Sequence, residues 1–134
     1  MGKREQWQAY IDDALLKTNL VTKAAIHGRD GVPWATSKDW QIKPEQVIRL
    51  VSSITGDYSR LHAEGIKVAN DSYAFIKCNP GKSLFGRSRS GDAGICIFLS
   101  GKGVTFGTYE KGIQMDDCCG VIDRMASYLE RHDL

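Results

Sequence analysis

The spacing of apolar positions changes along this chain, and each change delimits an element. Trp7, Tyr10, Leu15 and Leu16 recur at helical intervals, which predicts a first helix over residues 6–17. Lys17 suits its negative C-terminal end, and Lys17-Thr18-Asn19 reads as the exit. Taken alone, Trp7 and Tyr10 read as an inward-facing core stripe, because aromatics at helical spacing usually pack inward. Residues 23–27 then read as a short strand, Arg29-Asp30-Gly31 as a turn, and residues 32–36 as the returning strand of a hairpin. Pro33 pushes that second strand toward a sheet edge or a bulge, since proline cannot donate to a ladder. Residues 37–43 form a connector in which Trp40 is expected to pack. Pro44 fits a first helical turn, and Gln46, Val47, Leu50, Val51 and Ile54 repeat with a 3.6-residue period. A helix over residues 43–55 follows, stopped by Gly56, with a short helical turn expected within 57–64.

From Ile66 to Tyr109 the period becomes two. Strands are expected over 66–68, 72–78, 83–86, 94–99 and 104–109, joined by turns at Asn70-Asp71, Asn79-Pro80-Gly81 and Ser100-Gly101-Lys102-Gly103 and by a polar, basic loop over 87–92. Such short connections imply an antiparallel meander. Met115-Asp116-Asp117 opens a last helix, where the aspartates complement the positive helix end. Val121, Ile122, Met125, Tyr128 and Leu129 supply its apolar stripe. The order predicts an α+β domain, an α/β sandwich in which the terminal helices dock on a central antiparallel sheet. Residues 1–134 fit a single domain with a polar, flexible lead over 1–5.

Composition narrows the function by exclusion. With 42% hydrophobic and 25% charged residues the chain can bury a core without metals or disulfides. A net charge of +2 is too small to argue for nucleic acid. Cys78, Cys96, Cys118 and Cys119 form no C-x-x-C pair. They are expected as free thiols, and with no apolar run at the start and no membrane-length segment they suggest the reducing cytosol. Cys78 and Cys96 fall in strand patterns and read as buried, inert thiols. Cys118-Cys119 opens a helix, where a lowered pKa could make a nucleophile, giving a thiol enzyme as one competing class. Gly81-Lys82-Ser83 resembles the end of a phosphate-binding loop, but Ile76 stands where that loop needs glycine, so Gly81 reads as a hairpin glycine. His27, His62 and His132 are isolated in sequence. No catalytic constellation, metal site or cofactor is expected.

Several separated segments together resemble the profilin family, small actin-monomer-binding proteins. They are Trp7-Gln8-Ala9-Tyr10-Ile11-Asp12, then Ala24-Ala25-Ile26 with Gly31 and Trp34-Ala35-Thr36-Ser37. Ser83-Leu84-Phe85-Gly86-Arg87 and Gly107-Thr108-Tyr109 follow, and Val121-Ile122-Asp123-Arg124-Met125-Ala126-Ser127-Tyr128-Leu129 closes the set. The resemblance implies a binding protein of the cytoplasm and cytoskeleton, not an enzyme, with the N- and C-terminal helices on one face of the sheet and the other helices on the opposite face. It turns Trp7 and Tyr10 from core residues into half of a groove for proline-rich segments, such as those of formins, completed by Trp34 and Tyr128. Met125 is expected as core or groove floor. The resemblance assigns the actin monomer to Arg87, Arg89, Lys102, Lys111 and Arg124, and phosphoinositide headgroups to Arg87, Arg89 and Lys102. The chain departs from the family in its longer lead with Lys3, Arg4 and Glu5, in a longer 87–92 loop, and in Trp40. A sensor or scaffold domain of roadblock- or PAS-like shape is the alternative.

Overall fold

A computed structural model describes residues 3–134, with side chains from Gln6 onward apart from Ala14. Met1, Gly2 and the side chains of Lys3, Arg4 and Glu5, on which the expected flexible lead falls, lie outside the described residues.

The first helix, α1 (Lys3–Ala9), begins earlier than its apolar spacing suggested. It does not continue as a regular helix: a π-helical turn follows over Tyr10–Leu15 and a 3₁₀ turn over Leu16–Thr18. Asn19 then takes the left-handed conformation and ends the segment. Trp7, Ile11 and Leu15, four apart, are its buried stripe, so Ile11 rather than Leu16 anchors it.

Seven strands make one sheet in the order β2-β1-β7-β6-β5-β4-β3. They are β1 (Lys23–Gly28), β2 (Pro33–Thr36), β3 (Ile66–Val68), β4 (Asp71–Asn79), β5 (Ser83–Arg87), β6 (Gly94–Leu99) and β7 (Gly103–Tyr109). Every neighbouring pair is antiparallel. The late meander therefore forms as its short turns required, and β7 comes back to pair with β1. The expected hairpin β1–β2 lies at the edge, with a bulge. Ile26 faces Ala35 and His27 faces Pro33, which leaves Trp34 as the extra residue.

The helices divide between the two faces of the sheet. On β6, Cys96 and Phe98 pack with α1 and with α4 (Met115–Arg131), whereas Ile95, Ile97 and Leu99 pack on the other side. That second side is covered by α2 (Pro44–Thr55) and α3 (Arg60–Glu64), and it holds Trp40, which is buried as expected. Period-two alternation with both faces covered explains why β6 and β7 are buried throughout. Gln46 ties α2 to the β3–β4 turn: its side-chain oxygen accepts from Ala69 N–H and its amide donates to Ala69 C=O. Gly107 lets α4 approach β7, because a Cβ there would fall inside the Ile122 side chain.

The cysteines depart from expectation. Cys96 of β6 and Cys119 of α4 are joined in a disulfide with a Cα–Cα distance of 5.7 Å. Cys78 and Cys118 are the free thiols. No local pattern marks this pairing, because the partners are 23 residues apart and meet only when α4 docks on the sheet. No described helix is long and apolar enough to cross a membrane.

Candidate functional site

Between the terminal helices and the edge of the sheet, aromatic side chains from distant parts of the chain meet. Gln8 makes the first connection. Its amide donates to Thr36 C=O at 2.8 Å and its carbonyl accepts from Thr36 N–H at 3.4 Å, satisfying exposed backbone groups of the edge strand. This clamp holds α1 against β2 and sets Trp7 beside Trp34, stacked with ring centroids 6.4 Å apart and planes 26° apart.

Trp34 is aimed by the bulge and bedded on glycines. A Cβ on Gly103 would come within 3.0 Å of its ring, and one on Gly28 within 3.2 Å of its indole nitrogen. Gly28 and Gly103 face each other across β1 and β7, so the indole needs both positions bare. Trp7 also meets Tyr10 at 5.5 Å. Tyr10 then meets Tyr128 of α4 edge-on at 5.3 Å, and their hydroxyls share a 2.6 Å hydrogen bond. That bond, with burial second, raises the pKa of the Tyr128 phenol. His132 continues the row, 4.4 Å from Tyr128. Sequence reading missed His132 because it lies beyond the apolar stripe of the last helix.

All four groove residues inferred from sequence are thus together, but in two layers. Trp7 is only 7% exposed and belongs to the core between α1, α4 and the sheet. Tyr10, Trp34 and Tyr128 are half-buried and present the surface. Met125, at 7%, lies in the same core. Trp7 therefore packs in the core beneath the strip, as its spacing alone suggested, rather than facing outward, and Tyr10 stands at the strip's edge. Chemically the strip offers flat apolar faces with a few donors, the Trp34 indole N–H and the outward phenol hydrogen of the tyrosine pair among them.

The basic residues do not form one cluster. Arg87 ends β5 level with Gly94, which faces Tyr109. Its guanidinium lies near the Tyr109 phenol, whose pKa burial raises against the pull of that charge. Arg89 and Lys111 are exposed beyond the same end of the sheet, and Arg124 is exposed on α4, folded back toward Gly120. Lys102 sits in the β6–β7 turn at the opposite end, about 20 Å away at the usual rise per strand residue. One headgroup cannot bridge Lys102 and Arg87, so the three-residue phosphoinositide set does not assemble as a single site. Lys102 instead lies near Arg29, whose guanidinium donates to Ser100 C=O. None of these five residues takes part in a recorded ion pair among the described residues.

The chemical readings set aside on sequence keep their structural roles. Gly81 has φ +76° in the β4–β5 turn. Cys118 is fully buried, and burial pushes its thiol up to about 12, the reverse of an activated nucleophile.

A sequence model of the profilin family matches residues 5–134. Profilin-A of Physarum polycephalum is 35% identical over 126 residues, covering 94% of this chain and 97% of its own. The crystal structure of Acanthamoeba castellanii profilin II superposes with a TM-score of 0.87 at 30% identity, covering 96% of this chain and 99% of the other. The chain belongs to the profilin family. A mouse profilin IIa solved in complex with a double repeat from the FH1 domain of mDia1 shares the fold, with a TM-score of 0.78 at 20% identity over 96% of this chain and 99% of that one. A match from residue 5 to the last residue replaces the roadblock- or PAS-like alternative.

Proposed function

We propose that this profilin binds proline-rich segments, such as those of formins, along the aromatic strip and actin monomers on a separate basic surface, and thereby regulates actin polymerisation in the cytoplasm. The observation that carries the reading is the convergence of Trp7, Tyr10, Trp34 and Tyr128 from α1, the π-helical turn after it, β2 and α4 on one strip. A polyproline II helix is stiff before binding, so it loses little entropy when held. Its rings pack on aromatic faces and its carbonyls take hydrogen bonds from indole and phenol donors. With ring centroids following one another at 4.4 to 6.4 Å, the row accommodates about two turns of such a helix. The profilin solved with an FH1 double repeat supports the same class of ligand by fold.

The actin surface is assigned to the end of the sheet bearing Arg87, Arg89 and Lys111, with Arg124 on the exposed side of α4. Their charge would steer encounter with an acidic partner surface. Lys102 stands outside this surface. Anionic phosphoinositide headgroups are assigned to Arg87 and Arg89, each worth about 1 kcal/mol near such a membrane.

The test is retention on polyproline resin alongside an actin polymerisation assay. Tyr128→Ala and Trp34→Ala should each weaken retention by roughly tenfold or more, as loss of a central aromatic anchor does. Both should still delay polymerisation like the parent. Parent-like retention of both variants would remove the strip as the binding site.

A further inference from the structure

The Cys96–Cys119 disulfide joins a fully buried strand residue to a helix residue that keeps partial solvent exposure. It ties the first half of α4 to β6. Gln114, the N-cap, makes no side-chain cap hydrogen bond. The segment leading into the helix is mostly exposed around Gly112, which takes φ +99°. The other anchors of this half of the helix are apolar contacts of Ile113, Met115, Cys118, Val121 and Ile122. The other half of α4 is held differently, by Met125, Ala126 and Leu129 in the core and by the Tyr10–Tyr128 hydrogen bond. Tyr128 lies nine residues beyond Cys119, about 13 Å along a helix axis.

We infer that Cys96–Cys119 is a reversible thiol–disulfide exchange site, attacked at Cys119, whose redox state sets how firmly the first half of α4 is held to β6. Disulfides in a reducing cytosol are as a rule transient and catalytic or redox-sensing. The step balances with a small thiol such as glutathione. An external thiolate adds to Cys119 Sγ, the S–S bond breaks, and Cys96 Sγ leaves with the electron pair and takes a proton. A second thiolate attacks the external sulfur of the mixed disulfide. Cys119 departs and is protonated, and the two external thiols leave oxidised as a disulfide. In reverse, glutathione disulfide is the oxidant. Cys96 is shielded by the sheet and helix, so the mixed disulfide forms on Cys119. Cys118, one residue away, faces the core and takes no part.

The effect should stay at one end of the helix. Arg124 folds back over Gly120, next to Cys119, so the basic surface shares this half of α4. The aromatic strip uses the other half. Resting on the proposed function, reduction is expected to change actin affinity and to leave polyproline binding alone.

Equilibrating the folded protein in glutathione buffers, trapping thiols by alkylation and reading residue-level masses tests the chemistry. Cys96 and Cys119 should gain and lose label together and reversibly, with glutathione found on Cys119 and not on Cys96 or Cys118, whatever the partly exposed free thiol of Cys78 carries. Glutathione on Cys96 or Cys118, or no re-formation of the bond, overturns the inference. Amide exchange over residues 113–121 should speed up at least tenfold on reduction, with residues 125–131 unchanged. Equal exchange in both forms overturns it too. Cys119→Ser should match the reduced parent under all buffers, and a redox response persisting in that variant assigns the effect elsewhere and overturns the site. Reduced and oxidised protein should differ at least threefold in actin affinity and less than twofold on polyproline. Actin bound equally by both forms overturns the coupling to that surface. Failure of either form to bind actin or polyproline overturns the proposed function instead, and the exchange data then decide the redox site alone.

Discussion

The two surfaces proposed for ligands are built in opposite ways. The aromatic strip is continuous with the core: Trp7 is buried, Trp34 lies on bare glycines, Gln8 closes the sheet edge, and a tyrosine pair joins the π-helical turn after α1 to α4. The basic surface consists of exposed side chains that make no ion pair among the described residues, of which Arg87 lies near Tyr109 and Arg124 folds over Gly120. The first is preorganised, and changes at its buried floor and glycine bed should cost stability. The second is adjustable, and its residues can change at little structural cost. Affinity at the strip should therefore be coupled to stability, and behaviour at the basic surface should be coupled to ionic strength.

The comparison breaks most directly at Trp7. Trp7→Ala removes a large buried ring from the core and the neighbour of both Tyr10 and Trp34. It should destabilise the protein by about 3–5 kcal/mol, as large aromatic truncations in cores do. Chemical denaturation would show the loss, and polyproline retention should fall with it. A variant with parent-like stability but lost retention would make Trp7 a surface contact and undo the layered description of the strip.

A smaller effect separates placement from presence. Gly103→Ala leaves every aromatic in the chain but puts a methyl within 3.0 Å of the Trp34 ring. The indole must shift, at a cost of about 1–3 kcal/mol in stability, typical of overpacking. Polyproline binding should weaken while the actin assay stays unchanged. Unchanged resin retention together with unchanged tryptophan fluorescence would mean that the bed does not position the ring.

The same contrast explains what could be read before any coordinates. The antiparallel meander was legible because turn residues sit at short, regular intervals between alternating segments. The edge and bulge at β2 were legible in Pro33, for a covalent reason that no tertiary context overrides. The burial of Trp7 was visible in its periodicity, and its meeting with Trp34 and Tyr10 followed from the family resemblance. The π turn after Ala9 was not legible, since one residue of slippage in helical phase leaves little trace in a ten-residue window. The Cys96–Cys119 bond and the addition of His132 to the strip depend on how α4 lies across the sheet, which local pattern does not encode. Exposed arginines and lysines carried least information. Their sequence positions could not reveal that Lys102 stands at the opposite end of the sheet from Arg87.

The smallest expected effect lies on that exposed surface. Arg124 is exposed and makes no ion pair among the described residues, so Arg124→Ala should change stability by no more than about 0.5 kcal/mol. Its contribution should appear in the encounter with actin. Removing one steering charge slows association several-fold at low salt and leaves dissociation nearly unchanged. The difference should shrink as ionic strength rises, because at about 0.15 M salt the screening length is already near 8 Å. Stopped-flow association at two salt concentrations measures this. An association rate equal to the parent's at low salt would take Arg124 out of the basic surface. A slower rate that persisted at high salt would give it a short-range, desolvated contact, and the division between a preorganised strip and a screened basic surface would fail at that residue.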